Sequence, residues 1–176
     1  TLCIFFNACH NSNTAPQLQL ADSLIDKRAD SALCILEKLS IEEISNKSAK
    51  AMYALLLTEA LDKNFKSHRN DSLILIAVDY YKDNSNNKLK TKAYYLGRVY
   101  QDNKEYIKAT EAYLTALKTA SPNQAPILQI YNNLALCYES QEFYLPAIKT
   151  YKESYATAEK MQDKYGILHA TRGLGN

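Results

Sequence analysis

Ala93-Tyr94-Tyr95-Leu96-Gly97-Arg98-Val99-Tyr100 is followed by Tyr106, Ala109, Tyr113 and Ala116. Shifted by 38 residues, the arrangement returns as Tyr131-x2-Leu134-Ala135-x2-Tyr138, then Tyr144, Ala147, Tyr151 and Ser154. Small residues fall opposite small ones and, after the opening position, tyrosines opposite tyrosines. A fixed period of this order marks an architecture built by stacking one supersecondary unit. Stacked units expose a long continuous surface, which suits holding another chain better than enclosing a catalytic pocket.

Within each unit the spacing is helical. Tyr106, Ala109 and Tyr113 are three and four apart, so they share one helical face, and Tyr144, Ala147 and Tyr151 repeat it. Gly97 and Ala109 are small enough to let two helices approach, and the tyrosines fill the space around that contact. Pro146 falls in the first turn of the second helix of its unit, where a missing N–H costs little. Asp102-Asn103 and Ser140-Gln141 read as the tight turns inside each pair.

The pattern W-x2-L-G-x2-Y…A-x3-F…P belongs to the tetratricopeptide repeat, and the chain resembles that family best over 90–121 and 128–160. Ala93 replaces the opening aromatic, Ala135 replaces the glycine, and Ser121 stands where the closing proline is expected, with Pro122 one place late. The surplus over the family's usual period is placed in the connector 121–126. Leu174-Gly175 reads as the opening of a further, truncated copy, 40 residues after Leu134-Ala135. The resemblance implies an all-α fold: antiparallel helix pairs stacked as a right-handed superhelix of about three to four repeats. Helices are expected near 16–26, 30–39, 46–62, 71–82, 88–102, 105–119, 124–140, 143–160 and 163–175. Upstream, Ala32/Leu36/Leu39, Ala51/Leu55/Thr58 and Leu73/Ile76/Ala77/Tyr80 form the apolar faces. No run reads as a strand.

The chain has 176 residues, 47% of them hydrophobic, and a net charge of +2. One elongated array over 16–176 accommodates this length. The near-neutral charge, with no basic run, argues against nucleic-acid binding. Residues 1–15 differ in kind. Leu2-Cys3-Ile4-Phe5-Phe6 is apolar, Asn7-Ala8-Cys9 follows, and a polar stretch begins at His10. A small residue before a thiol and a polar tether after it resemble the end of a bacterial lipoprotein signal, with Cys9 the lipidated residue. The membrane would then be reached through Cys9 alone, and the location would be the bacterial envelope. A cytoplasmic location is the alternative.

Cys34 and Cys137 lie far apart among apolar neighbours and read as small core residues. His10, His68 and His169 have no second ligand at metal spacing, and no glycine loop follows a strand. Catalysis, a cofactor, a metal and a small-molecule substrate are therefore not expected.

The resemblance also implies that the first helix of each pair lines a concave groove for a protein or peptide. Tyr94, Arg98 and Gln101 face it from one unit, Asn132, Leu136 and Glu139 from the next, and His169 and Arg172 from the last. Met52, Leu56 and Glu59 continue the line upstream, so the groove grades from apolar to polar and basic. Arg98, Asn132 and Arg172 partly resemble a clamp for a carboxylate, since guanidinium and amide donors suit that anion. The expected role is a tethered interaction scaffold. The alternative is the sensory half of a signalling or transcriptional regulator with its effector beyond Asn176.

Overall fold

The computed structural model describes residues 14–67, 71–81, 89–120 and 126–175. Cys3, Cys9, His10, His68 and the connectors 83–87 and 121–125 lie outside them. The described residues form helices only: α1 (Thr14–Leu24), α2 (Ala29–Leu36), α3 (Lys47–Lys63), α4 (Ser72–Tyr81), α5 (Leu89–Asp102), α6 (Tyr106–Thr119), α7 (Pro126–Ser140), α8 (Tyr144–Met161) and α9 (Lys164–Gly175). They make four antiparallel pairs and a ninth helix that packs on α8.

The boundaries have local causes. Asn46 caps α3, its side chain accepting from the Ala49 N–H at 3.0 Å. Asp163 caps α9, accepting from the N–H groups of Tyr165 and Gly166 at 3.0 Å each. Pro146 sits third in α8, among the N–H positions that lack an intrahelical partner in any helix. Helix α2 ends at Leu36, short of the expected 39. Leu39 lies beyond it, and its carbonyl accepts from the Tyr53 hydroxyl at 3.2 Å.

One turn recurs at the end of α3, α5, α7 and α8. Phe65, Lys104, Glu142 and Gln162 hold φ of 55°, 62°, 61° and 55°. In each the next N–H reaches back five residues: Lys66 to Leu61 at 2.9 Å, Glu105 to Tyr100 at 2.8 Å, Phe143 to Tyr138 at 2.8 Å and Asp163 to Ala158 at 2.9 Å. This is the Schellman closure, normally completed by glycine. Here four residues with side chains occupy the left-handed position, at a cost of about 1 kcal/mol each. Lys104→Gly is therefore expected to stabilise the chain by about 1 kcal/mol, measured as a raised urea midpoint at unchanged slope.

The core follows the repeat. Ala109, Tyr113, Ala116, Ile130, Leu134 and Cys137 are buried together where α6 meets α7. Ala147, Tyr151 and Ser154 are buried on α8 at the matching positions. Burial pushes the Cys137 thiol up to about 12, so it stays protonated and packs as a small apolar group. Tyr113 is wholly buried, and a Cβ built on Gly97 would meet its ring at 2.5 Å. The ring occupies the space a side chain at 97 would need.

Three sequence expectations shift. On α4 the buried face is Ile74, Ala77 and Tyr81, while Ile76 is 38% exposed. Leu73–Val78 is apolar throughout, so its pattern does not fix which side turns inward. Cys34 is exposed rather than core. In α9 the packing glycine is Gly173, whose added Cβ would meet the Tyr151 ring at 2.3 Å, whereas Gly175 has nothing within 4 Å. Gly173 follows Ala135 by 38 residues, so the period is kept and the Leu174-Gly175 match at 40 is coincidental.

Candidate functional site

Helices α1, α3, α5, α7 and α9 form one layer, the backbone of each lying close to the next, whereas among the described residues the backbones of α2, α4, α6 and α8 lie farther from one another. Closely spaced helices lie on the inside of a curve and separated ones on the outside, so the odd-numbered layer is the inner one. The recurrent turn sets its register. Phe65, Lys104 and Glu142 are equivalent, which aligns Asp62 with Gln101 and Glu139, and Glu59 with Arg98 and Leu136.

This register moves the upstream end of the expected groove. The partners of Tyr94 and Arg98 on α3 are Leu55 and Glu59, not Met52 and Leu56. Leu56 is 2% exposed and packs, with Met52 beside it, into the core shared with α1 and α2. These two residues line no groove, and the apolar end disappears with them. Asp62 takes their place on the inner layer. The signal was present: Asn64 stands 39 residues before Asn103, in the same turn.

Most of the remaining inner residues are already engaged. Arg98 donates from Nε to Asp62 at 2.7 Å and from an Nη to Gln101 at 3.3 Å, and its other Nη lies 3.8 Å from Asp102. Gln101 also accepts from the Tyr113 hydroxyl at 2.7 Å. Glu139 accepts from Tyr151 at 3.3 Å, and Asn132 from Ser154 at 3.0 Å. Asn133 donates to the Tyr94 hydroxyl at 3.4 Å. Glu59 pairs with Lys63 at 3.0 Å, and Lys63 reaches Asp26 at 2.6 Å. Leu136 is 43% exposed, and His169 and Arg172 are exposed on α9. In the 38-residue register the α9 positions matching Asn132 and Leu136 are Ala170 and Leu174, so His169 and Arg172 point from other sides of that helix.

Charge and burial shape this row. Burial lowers the affinity of Arg98 for its proton, but the Asp62 carboxylate outweighs this and holds the guanidinium charged. Burial pushes Tyr94 up to about 12, helped by Asp62, and Tyr151 up to about 12, helped by Glu139. These hydroxyls are neutral donors and acceptors, not bases. The clamp of Arg98, Asn132 and Arg172 is not assembled. The Arg98 charge is matched within the chain, and Asn132 is turned to Ser154.

The Arg98–Asp62 pair staples α5 to α3. Both side chains are mostly buried, at 24% and 13% exposure. Arg98→Ala is expected to cost about 2 kcal/mol, because Asp62 is left as a partly buried, unmatched charge. Adding Asp62→Asn should recover part of that loss, giving a nonzero coupling in a double-mutant cycle.

An open cavity of about 300 Å³ lies beside this pair, lined by Asp62, Phe65, Lys66, Ser67, Arg98 and Asp102. Phe65 is 98% exposed at its rim. Among the described residues, no group of three or more His, Cys, Asp or Glu could hold a metal ion, and no helix is long and apolar enough to cross a membrane.

Comparison with known proteins agrees with this architecture. No curated protein matches the chain. The crystal structure of MamA protein is similar in fold, with a TM-score of 0.61 at 20% identity over 86% of this chain and 76% of that one. A second structure, of MamA AMB-1, gives 0.59 at 16% identity over 92% and 96%. Residues 90–160, the two units that carry the repeat most clearly, match the family model of the tetratricopeptide repeat.

Proposed function

We propose that this chain is a non-catalytic scaffold that holds a segment of a partner protein along its inner helical layer. The observation that carries the reading is the contact pattern: the backbones of the inner helices lie close in series and those of the outer helices lie farther apart, so α3, α5 and α7 present one continuous curved face. On that face Glu59/Asp62, Arg98/Gln101 and Leu136/Glu139 stand in equivalent positions. Such a row meets an extended or helical segment along its length, as repeat arrays do. Tethering to a bacterial envelope through lipidated Cys9 is part of the same proposal, supported by the apolar run Leu2–Phe6, the small Ala8 and the polar residues that follow.

A photo-crosslinking residue at Leu136, on the inner layer, should trap the partner in cells, and one at Lys152, exposed on the outer α8, should not. Trapping only at Lys152 would overturn the groove. For the tether, Cys9→Ala should abolish fatty-acid labelling. Labelling that persists would reject Cys9 as the acceptor.

A further inference from the structure

The inner layer carries a charge bias that points to one class of partner. Resting on the groove proposed above, we infer that the C-terminal halves of α3, α5 and α7 receive a cationic segment, with one lysine or arginine side chain seated in the cavity beside Asp62 and Asp102 at the rim formed by Phe65.

At this end of the inner face, among the described residues, stand Asp26, Glu59, Asp62, Asp102, Glu139 and, in a closing turn, Glu142, against the cations Lys63, Arg98 and Lys104. Among these residues the carboxylates outnumber the cations by three. Lys66, the other cation lining the cavity, is matched by Glu37 at 3.0 Å. The α9 positions in the same register, Ala170 and Leu174, add no charge. The cavity lining balances Asp62 and Asp102 against Lys66 and Arg98, and the surrounding described face adds the excess of carboxylates. An acidic segment would meet repulsion there and a basic one attraction.

A second observation comes from the backbone. Phe65 holds a left-handed φ of 55° and is 98% exposed, so it gains neither helix geometry nor burial. The fold would be served better by glycine, as at any Schellman closure. Lys104, Glu142 and Gln162 bear the same backbone cost, so what sets Phe65 apart is an apolar ring left in solvent, which a contact in a complex would cover. Phe65 lines the same cavity as Asp62 and Asp102, and a cation binds an aromatic face and a carboxylate together.

Two fluorescent peptides of equal length test this by anisotropy: one alternates lysine and alanine, the other glutamate and alanine. The lysine peptide is expected to bind at low salt and weaken as salt rises, and the glutamate peptide is not expected to bind. Asp102→Asn and Glu139→Gln should each weaken lysine-peptide binding by up to about fivefold. Glu153→Gln, on the exposed outer side of α8, should leave it unchanged. Phe65→Gly relieves the backbone while removing the ring, so weaker binding by that variant cannot come from unfolding. Equal or tighter binding of the glutamate peptide overturns the inference, as does lysine-peptide binding indifferent to the inner variants. If the Leu136 crosslinker traps a partner while the lysine peptide fails, the charge inference falls and the groove stands. If Leu136 traps nothing and Lys152 does, both fall.

Discussion

Replacing Tyr113 by alanine will destabilise the chain by about 3–5 kcal/mol, enough to unfold a large fraction of a marginally stable array. The ring is wholly buried, lies against Gly97, and sits 6.1 Å from the Tyr94 ring between centroids. No neighbour can close the gap, because α5 and α6 are already at glycine distance. The conservative variant Tyr113→Phe keeps the ring and loses only the hydroxyl donated to Gln101, so it should cost about 1 kcal/mol. Urea titrations followed by circular dichroism separate the two. Similar losses for both variants would mean that the hydroxyl, not the ring, holds the helices.

Gly97→Val approaches the same contact from the other side and is expected to cost about 3 kcal/mol. Its Cβ alone would stand 2.5, 2.6 and 2.8 Å from three atoms of the Tyr113 ring. Glycine in a helix interior normally gives up about 1 kcal/mol to alanine, so at an unconstrained site the substitution would help. Here the ring must leave its rotamer or the helices must part. The double variant Gly97→Val with Tyr113→Ala should be less destabilised than the sum of the singles, because valine fills part of the space the ring vacates. Strict additivity would mean that residues 97 and 113 do not share one volume.

Much of this fold was legible because it is written twice. The period located α5 through α8 to within a few residues, and the small positions of those units are buried together with Tyr113 and Tyr151, while Tyr100, Tyr106, Tyr131 and Tyr138 are half-buried and Tyr144, expected on the packing face, is 61% exposed. The upstream pair was harder for physical reasons. Helix α4 is apolar on every side, so periodicity could not orient it. Helix α3 carries the repeat in its closing turn, not in its opening residues, so the register that places Asp62 on the inner layer and Leu56 in the core is set by Phe65 and not by the Ala51–Leu57 run. Arg98, Gln101 and Glu139 stand on the inner layer, but their chemistry is not readable from the sequence. The neutralisation of Arg98 depends on Asp62, 36 residues away. Only folding brings the two together, and that pairing matches the Arg98 charge within the chain.

The separation of the outer helices has a mechanical meaning. A closely spaced layer resists compression, while a more widely spaced one can open or close at lower cost. The inner helices would then act as the spine of a leaf spring, with the wider backbone separation of α4, α6 and α8 giving the outer side room to adjust. A guest wider or narrower than the resting groove can be met by changing the curvature of the whole array, each joint giving slightly, with no joint broken.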